Sequence, residues 1–304
     1  MTRIVATGPV FPPTEEILGE IVVAGEGGLR PLLADAEALI VRGGTRITAD
    51  LIDAAPRLRV IGRSGVGFSE VDVEAASRRG IPVVITPDAG AQAVAEGALA
   101  LILALAKRLP ELDAAVREGR WSFRDETELR DLEGSTLGIV GYGRIGRRLG
   151  RIGAALDMRV IAHDPYVPEA GVELPELFAS SDFISLHAPL TPETRGLVSA
   201  EVLARARDAI LVNLGRGALV SSLDDLLAAL ESGALAGVGL DVFDPEPPDP
   251  GHPLFRHPRV VLSPHALGMT RLARQRIYEE MSRGIAAVLR GERASAVANP
   301  EVYG

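Results

Sequence analysis

Short runs of β-branched and apolar residues alternate along most of the chain with amphipathic segments of helical length. Such alternation is typical of parallel sheets built from β-α-β units. In the first third it predicts strands at 4–6, 21–24, 38–41, 59–61 and 82–85, with helices between them at 14–18, 29–34, 48–54 and 72–79. After Trp121 a second series predicts strands at 137–140, 159–162, 183–186, 209–213, 238–241 and 260–263.

The number of predicted strands indicates two domains, because open sheets rarely exceed about ten strands. We therefore predict an α/β protein with two doubly wound parallel-sheet domains. A long helical pattern over 91–117, interrupted by Pro110, separates the two series, and another covers 271–290. The last residues, 296–304, are too few for a domain and are expected to return to the first one. The predicted domains are 1–98 with 283–304, and 99–282.

Composition removes several classes of function. The 304 residues carry a formal net charge of −9, which argues against a nucleic-acid partner because phosphate binding needs a basic surface. The absence of cysteine excludes disulfides, thiolate metal sites and cysteine nucleophiles. The N-terminal residues resemble a strand rather than a signal peptide, and the longest apolar stretch, 97–106, is about half of what spans a bilayer. We expect a soluble cytoplasmic protein without a membrane partner.

A glycine motif after the strand at 137–140 predicts a nucleotide site. Gly141-x-Gly143-x-x-Gly146 stands between this strand and a helix, where glycines permit a tight turn and close approach of a pyrophosphate. Asp164 ends the next strand, 23 residues after Gly141, where a carboxylate would bind the ribose hydroxyls of NAD and repel the extra phosphate of NADP. The alternative is that Asp164 caps its own turn before Pro165. We predict NAD as the cofactor.

Polar side chains follow three later strands and are candidates for catalysis. Arg216 comes after the strand at 209–213, Asp241 and Glu246 after that at 238–241, and His265 after that at 260–263. The carboxyl ends of parallel strands are where ligands bind in open α/β sheets. Each group taken alone is equally well a solvated surface charge, and the pattern leaves the role of His265 open.

The other four histidines are not predicted to be catalytic. His163 and His187 lie at strand ends within apolar runs and are predicted to be structural. His252 and His257 lie in a proline-rich loop without a third ligand at suitable spacing, so no metal site is predicted.

Taken together, the motifs over 94–270 resemble those of the D-isomer-specific 2-hydroxyacid dehydrogenases. The matching segments are Val94-Ala-Glu96, Trp121, the glycine motif, Leu186-His-Ala-Pro-Leu-Thr-Pro-Glu-Thr-Arg-Gly196, Val212-Asn-Leu-Gly-Arg216-Gly, Leu240-Asp-Val-Phe-Asp-Pro-Glu246-Pro and Ser263-Pro-His265. In the first domain, 40–45 and 62–67 resemble the substrate-side loops of that family. The resemblance implies a Rossmann NAD-binding domain over 99–282 and a discontinuous, flavodoxin-like substrate-binding domain.

The resemblance also implies roles for individual residues. Arg216 would bind the substrate carboxylate and polarise the keto oxygen, His265 would exchange a proton with that oxygen, and Glu246 would orient the imidazole. Asp241 would bind the nicotinamide carboxamide. Further cofactor contacts are implied at Arg144, Ile145, Pro189 and Thr194, and substrate contacts at Arg63, Gly65, Val66 and Gly67. The implied activity is hydride transfer between NAD and a D-2-hydroxy acid, with 3-phosphoglycerate, hydroxypyruvate and glyoxylate as candidate members of the pair.

The chain departs from the family pattern at several positions that bear on substrate choice. After Gly67 the family shows an apolar residue, then Asp-Asn, then Asp, whereas this chain has Phe68-Ser69-Glu70-Val71-Asp72. Gly90 stands where many members have asparagine, Ser221-Ser222 replaces an acidic pair, and Met269 lies in an unusual segment after His265. These departures do not touch Arg216, Glu246 or His265.

Three questions stay open at the level of sequence. Two other kinds of protein share the fold. Formate dehydrogenases pair the histidine with glutamine, so Glu246 disfavours that alternative. The NAD-sensing corepressors carry extended tails, which disfavours them as the second alternative. Arg42 and Arg63 both end strands and are expected either to bind a second anionic group such as phosphate or to pair with local carboxylates. The apolar helix at 91–109 and the segment 121–123 predict a homodimer formed through the nucleotide domain.

Overall fold

The protein is described here by a computed structural model covering residues 3–25, 28–65, 67–68 and 70–304. The chain divides into two compact units, one formed by Met1–Gly90 with Met269–Gly304 and the other by Ala91–Gly268. The boundaries predicted at 98/99 and 282/283 fall within helices α5 (Ala91–Ala106) and α12 (Arg271–Leu289). Each helix is instead assigned whole to one unit, because α5 packs on strands of the second unit and α12 on those of the first.

In the part of the first unit that is described, five parallel strands form one sheet in the order β2-β1-β3-β4-β5. This is the flavodoxin-like strand order. The strands are β1 (Ile4–Ala6), β2 (Ile21–Val23), β3 (Ala38–Val41), β4 (Val60–Arg63) and β5 (Val83–Val84), and the other helices are α1 (Thr14–Leu18), α2 (Arg30–Leu33), α3 (Ala49–Asp53) and α4 (Val73–Arg78). The strands β1, β3 and β4 are buried along their whole length, as expected for a sheet covered on both faces.

The second unit holds a six-stranded parallel sheet in the order β11-β10-β9-β8-β6-β7, counted over described residues. Its strands are β6 (Thr136–Val140), β7 (Arg159–His163), β8 (Phe183–Leu186), β9 (Ala209–Asn213), β10 (Leu235–Leu240) and β11 (Val260–Leu262). Its other helices are α6 (Leu109–Arg117), α7 (Phe123–Glu126), α8 (Arg144–Ala155), α9 (Leu174–Ser180), α10 (Ala200–Leu203) and α11 (Leu223–Glu231). After β7, at one edge of the sheet, the chain crosses to the other side of β6 and forms β8. The strand order therefore reverses between β6 and β8, and the carboxyl ends of these two strands form the switch point where such sheets bind ligands.

The predicted fold class is confirmed, and every predicted strand is present with small shifts at its ends. The largest shift is in β10, which begins at Leu235 rather than at 238. Glycine usually weakens a strand, but here a Cβ at Gly237 or Gly239 would lie 3.1 Å from Leu105 or Leu101 of α5. The two glycines therefore let α5 pack directly on the strand, and this tertiary contact outweighs their low strand propensity.

The long helical pattern over 91–117 is two helices rather than one. Helix α5 ends at Ala106, and Arg108 adopts a left-handed conformation with φ of 46° before α6 begins. Pro110 lies in the first turn of α6, where its missing N–H costs nothing. The interruption predicted at Pro110 thus lies just before it. No helix in the described ranges is long and apolar enough to cross a membrane.

Candidate active site

The turn between β6 and α8 has the shape that a dinucleotide requires. Gly141 has φ of 91°, and a Cβ there would collide with the backbone of Ala188 after β8. At Gly146 a Cβ would collide with the carbonyl oxygen of Gly141. Gly143, the N-cap of α8, has no neighbour of this kind within 4 Å among the described residues. The open side of Gly143 and the N–H groups that begin α8 therefore fit a pyrophosphate.

Asp164 follows β7 and contacts this turn. Its Oδ2 accepts a hydrogen bond from the N–H of Tyr142 at 2.9 Å, and its Oδ1 accepts one from the N–H of Tyr166 at 3.0 Å. The second contact is the capping role considered as an alternative, so Asp164 does cap its turn. A carboxylate offers about four acceptor positions, and ribose hydroxyls can use those that remain. The two roles are compatible.

The segment after β8 forms the other side of the switch point. Thr194 Oγ1 donates to the carbonyl oxygen of Pro189 at 2.7 Å and accepts from the N–H of Thr191 at 2.7 Å. This closes the turn and fixes the backbone of Pro189. His187 lies at the base of the same segment, with Nε2 at 2.9 Å from Ser185 Oγ. Its Nδ1 is buried and has no partner among the residues described. Burial lowers the pKa of His187 from 6.5 to about 4, so the ring is neutral at physiological pH.

Glu246 and His265, which are 19 positions apart in sequence, are in direct contact. Glu246 Oε2 lies 2.9 Å from Nδ1 of His265, and Glu246 Oε1 accepts from the N–H of Phe243 at 3.0 Å. Both carboxylate oxygens of Glu246 therefore take part in hydrogen bonds. The histidine has φ of 53°, a left-handed conformation uncommon for a residue with a side chain. With Nδ1 used by the carboxylate, Nε2 is the nitrogen that can exchange a proton with a bound molecule.

Buried Asp241 holds the loop that carries His265. Its Oδ1 accepts from the N–H of Ala266 at 2.9 Å and from that of Leu267 at 3.3 Å. Helix α5 supports the same loop, because a Cβ at Gly97 would lie 2.7 Å from Leu267 Cβ. These contacts are not predicted by the sequence pattern. The adjacent motif segment Val94-Ala-Glu96 was the available signal, since a small residue next to it permits close approach.

Arg216 lies just after β9, in a turn that is held by the buried side-chain amide of Asn213. Asn213 Oδ1 accepts from the N–H of Gly215 at 3.0 Å, and its Nδ2 donates to the carbonyl oxygen of Arg216 at 2.9 Å. The next residue, Gly217, is so close to Phe243 that a Cβ would collide with the carbonyl group of Phe243. Phe243 also donates to Glu246, so the turn of Arg216 packs against the loop of Glu246. The second unit therefore brings the loops of Arg216, Glu246 and His265 together.

In the first unit, Arg63 ends β4 and contacts a carboxylate. Its Nε lies 3.3 Å from Glu70 Oε2, and its Nη1 donates to the carbonyl oxygen of Ser64 at 2.7 Å. Gly65 has φ of 144°, and its N–H donates to the carbonyl oxygen of Arg63 at 2.9 Å. Gly67 is partly exposed, while the predicted contact Val66 lies outside the described residues.

Arg42, which follows β3, has a different partner from Arg63. Its guanidinium lies over the ring of Phe11 at 5.4 Å from the centroid. Of the two arginines considered for a second anionic group, Arg63 is thus the one that pairs with a carboxylate among the described residues. Within the described ranges, no group of three or more His, Asp or Glu side chains is arranged to hold a metal ion.

Comparison with known proteins identifies the family. Residues 99–266 match the model of the D-isomer specific 2-hydroxyacid dehydrogenase NAD-binding domain. The D-3-phosphoglycerate dehydrogenase of Methanocaldococcus jannaschii is 39% identical over 98% of this chain and 60% of its own length. The chain spans 45–60% of the length of that relative and of its Arabidopsis thaliana and Pongo abelii counterparts.

Solved structures agree with this result. The TT0316 protein from Thermus thermophilus is 38% identical with a TM-score of 0.90, covering 98% of this chain and 100% of the other. D-lactate dehydrogenase from Aquifex aeolicus, complexed with NAD and lactic acid, is 29% identical with a TM-score of 0.84, covering 96% of both chains. The chain therefore belongs to the D-isomer specific 2-hydroxyacid dehydrogenase family and contains its NAD-binding domain.

Proposed function

We propose that the protein is an NAD-dependent dehydrogenase that transfers a hydride between the nicotinamide and C2 of a D-2-hydroxy acid or 2-keto acid. The hydrogen bond between Glu246 and Nδ1 of His265 carries this proposal. It leaves one imidazole nitrogen for proton exchange, and it belongs to the same compact unit as the glycine turn and the turn of Arg216. A proton-exchanging group beside a nucleotide site is what a reversible oxidation of an alcohol requires.

In the direction of reduction, the His265 imidazolium donates its Nε2 proton to the keto oxygen, which becomes the hydroxyl of the product. Bound NADH supplies the hydride that C2 receives. Glu246 holds the ring by Nδ1 and stabilises the imidazolium before the transfer. Arg216 binds the substrate carboxylate with its fork of N–H donors and polarises the keto group. In oxidation the neutral ring accepts the hydroxyl proton at Nε2.

The remaining predicted contacts are part of the same proposal. For the cofactor, we propose binding by the turn of Gly141, Gly143, Arg144, Ile145 and Gly146, by Asp164, and by Pro189, Thr194 and Asp241. For the substrate, we propose Arg63 and the loop of Gly65, Val66 and Gly67, in addition to Arg216. The hydrogen bonds that fix Pro189 and Asp164 support the first set, because they preorganise backbone and carboxylate groups at the switch point.

We further propose that the enzyme is a cytoplasmic homodimer formed through the second unit. Large apolar side chains exposed around α6 support this interface, among them Trp121 at 67% and Val116 at 62% exposure. Light scattering is expected to give twice the 32.0 kDa chain mass, and a stable monomer at micromolar concentration would contradict the dimer.

Absorbance assays with NADH and 2-keto acids, and in parallel with NAD and formate, separate the proposed activity from its alternatives. The purified chain is mixed with NADH and a panel of 2-keto acids, and NADH absorbance is followed. We expect absorbance to fall with at least one acid. Binding of NADH without turnover of any acid would instead favour a cofactor-sensing scaffold. Reduction of NAD by formate alone would indicate a formate dehydrogenase.

A further inference from the structure

A pocket of about 560 Å³ lies within the first unit, between the loop after β1 and the first two turns of α12. Every residue that lines it belongs to Met1–Gly90 or Met269–Gly304. The volume is in the range of pockets that bind small molecules. None of its lining residues is among those proposed above to bind cofactor or substrate, so the pocket is a separate candidate for a ligand.

Positive charge predominates around this pocket. Arg271 and Arg274 line it together with Glu16, which is the one carboxylate among the described residues on its wall. Arg42 lies beside it, against the ring of Phe11. Within the described residues, none of these three arginines forms an ion pair with a carboxylate. In a chain with a net charge of −9, three arginines without such a partner make this place attractive to an anion.

Arg274 is held in place without being neutralised. Its guanidinium lies over the ring of Phe11, 4.3 Å from the centroid. Its Nε is buried and has no hydrogen-bond partner in the described part of the chain. A ring face orients a guanidinium but leaves its charge and its in-plane N–H groups unused. The terminal N–H groups of Arg274 are therefore preorganised for an anion.

Phe11 gives the pocket a fixed apolar side. Its ring packs edge to face against buried Tyr278, with centroids 5.3 Å apart. Its carbonyl oxygen accepts hydrogen bonds from the N–H of Thr14 at 3.0 Å and from the hydroxyl of Thr14 at 2.7 Å. Pro12 and Pro13, which also line the pocket, restrict the backbone between these two residues. The apolar side is thus held by the core of the first unit.

We propose that this pocket binds a small organic anion, in which one phosphate or carboxylate group is joined to an apolar body. Arg271 and Arg274 bind the anionic group, because a guanidinium fork matches the oxygens of either group. The apolar body packs on Phe11 and on Met269, which lines the pocket as well. Glu16 repels a second negative charge and so restricts the ligand to one anionic group.

Titration calorimetry with phenyl phosphate tests the proposal, because this probe joins a phosphate to an apolar ring. The protein is saturated with NADH so that the glycine turn is occupied. We expect one site for phenyl phosphate, with an affinity about tenfold or more above that for inorganic phosphate, which has no apolar body. Benzoate is titrated in parallel, and the tighter of the two aromatic probes identifies the anionic group that the pocket prefers.

Three variants place the probe in this pocket. Arg274→Gln should weaken its binding by about tenfold or more, since a charged hydrogen-bonding group is lost. Arg276→Gln makes the same change in net charge at an exposed position of α12 outside the pocket, and should leave the affinity unchanged. Glu16→Gln should strengthen binding by about threefold, because it removes the one repelling carboxylate of the described wall.

The outcomes are decisive in either direction. Absence of binding by both aromatic probes overturns the proposal, as does an affinity that Arg274→Gln leaves unchanged. Binding that is lost in Arg216→Gln and kept in Arg274→Gln overturns it as well, because the probe would then occupy the proposed substrate site. If Arg274→Gln fails to fold, an affinity that Glu16→Gln does not raise overturns the proposal. Turnover is not measured, so failure of the proposed function would leave this test intact.

Discussion

Each unit carries a cationic or titratable side chain held by a glutamate, and the two pairs differ in what surrounds them. Arg63 and Glu70 in the first unit are 11% and 29% exposed, and His265 and Glu246 in the second are 51% and 39% exposed. An arginine stays protonated in proteins, so the first pair presents a fixed, cancelled charge. An imidazole, unlike a guanidinium, can give up a proton and take one back, and His265 is open to solvent. The same kind of partner thus neutralises a fixed charge in one unit and, in the proposed mechanism, holds a group that exchanges a proton in the other.

The largest expected effect comes from breaking the second pair. His265→Ala removes the proton donor and acceptor, so reduction and oxidation should both slow by about 10²–10⁴-fold. NADH affinity, measured by fluorescence, should change little because the glycine turn is intact. The control is His257→Ala, in the loop before β11, which should retain activity. Retention of wild-type rates by His265→Ala would refute the assignment of the proton to this ring.

A smaller effect is expected when the support of His265 is loosened. Asp241→Asn keeps the oxygen that accepts from Ala266 and puts an NH2 group in place of Oδ2, which accepts from the N–H of Leu267 at 3.3 Å. We expect kcat to fall by about tenfold, since small displacements of a proton donor are costly. The KM for NADH should change less. A rise in that KM with unchanged kcat would show instead that contact with the nicotinamide is the main role of Asp241.

A third effect, on stability rather than on rate, sharpens the comparison by contrasting His265 with a buried imidazole. His187 has a folded pKa of about 4 against 6.5 for the free group. The unfolded chain therefore binds the proton first as pH falls, so the stabilisation from the neutral ring is complete above pH 6.5 and is lost between 6.5 and about 4. The loss amounts to about 3 kcal/mol.

His187→Gln should remove this contribution. Tm measured from pH 8 to pH 4 should fall less steeply for the variant than for the wild type, with the difference confined to the interval below pH 6.5. Parallel curves over the whole range would show that His187 does not stay neutral in the folded protein.

Much of the fold was predictable because each strand is a short apolar run bounded by turn-forming residues. The glycine turn was also predictable, since spacing alone brings Gly141 and Gly146 to one turn. The start of β10 was not, because only contact with α5 explains its two glycines. For the same reason the sequence did not reveal that Asp241 holds the loop after His265. The sequence also left open whether Arg63 binds a phosphate or pairs with a local carboxylate. Its pairing with Glu70 depends on the backbone hydrogen bond from the N–H of Ile47 to the carbonyl oxygen of Glu70, which the sequence does not show.

The rates of Glu246→Gln in both directions test the central claim most directly. Reduction needs the imidazolium of His265 and oxidation needs the neutral ring. The glutamine keeps the shape of the pair and removes the negative charge that lies beside Nδ1 of His265. The account predicts that kcat for reduction falls by about tenfold, that oxidation is slowed less, and that the KM for NADH changes little. Wild-type kcat values for the variant in both directions would contradict the claim that Glu246 and His265 form the proton-exchanging pair.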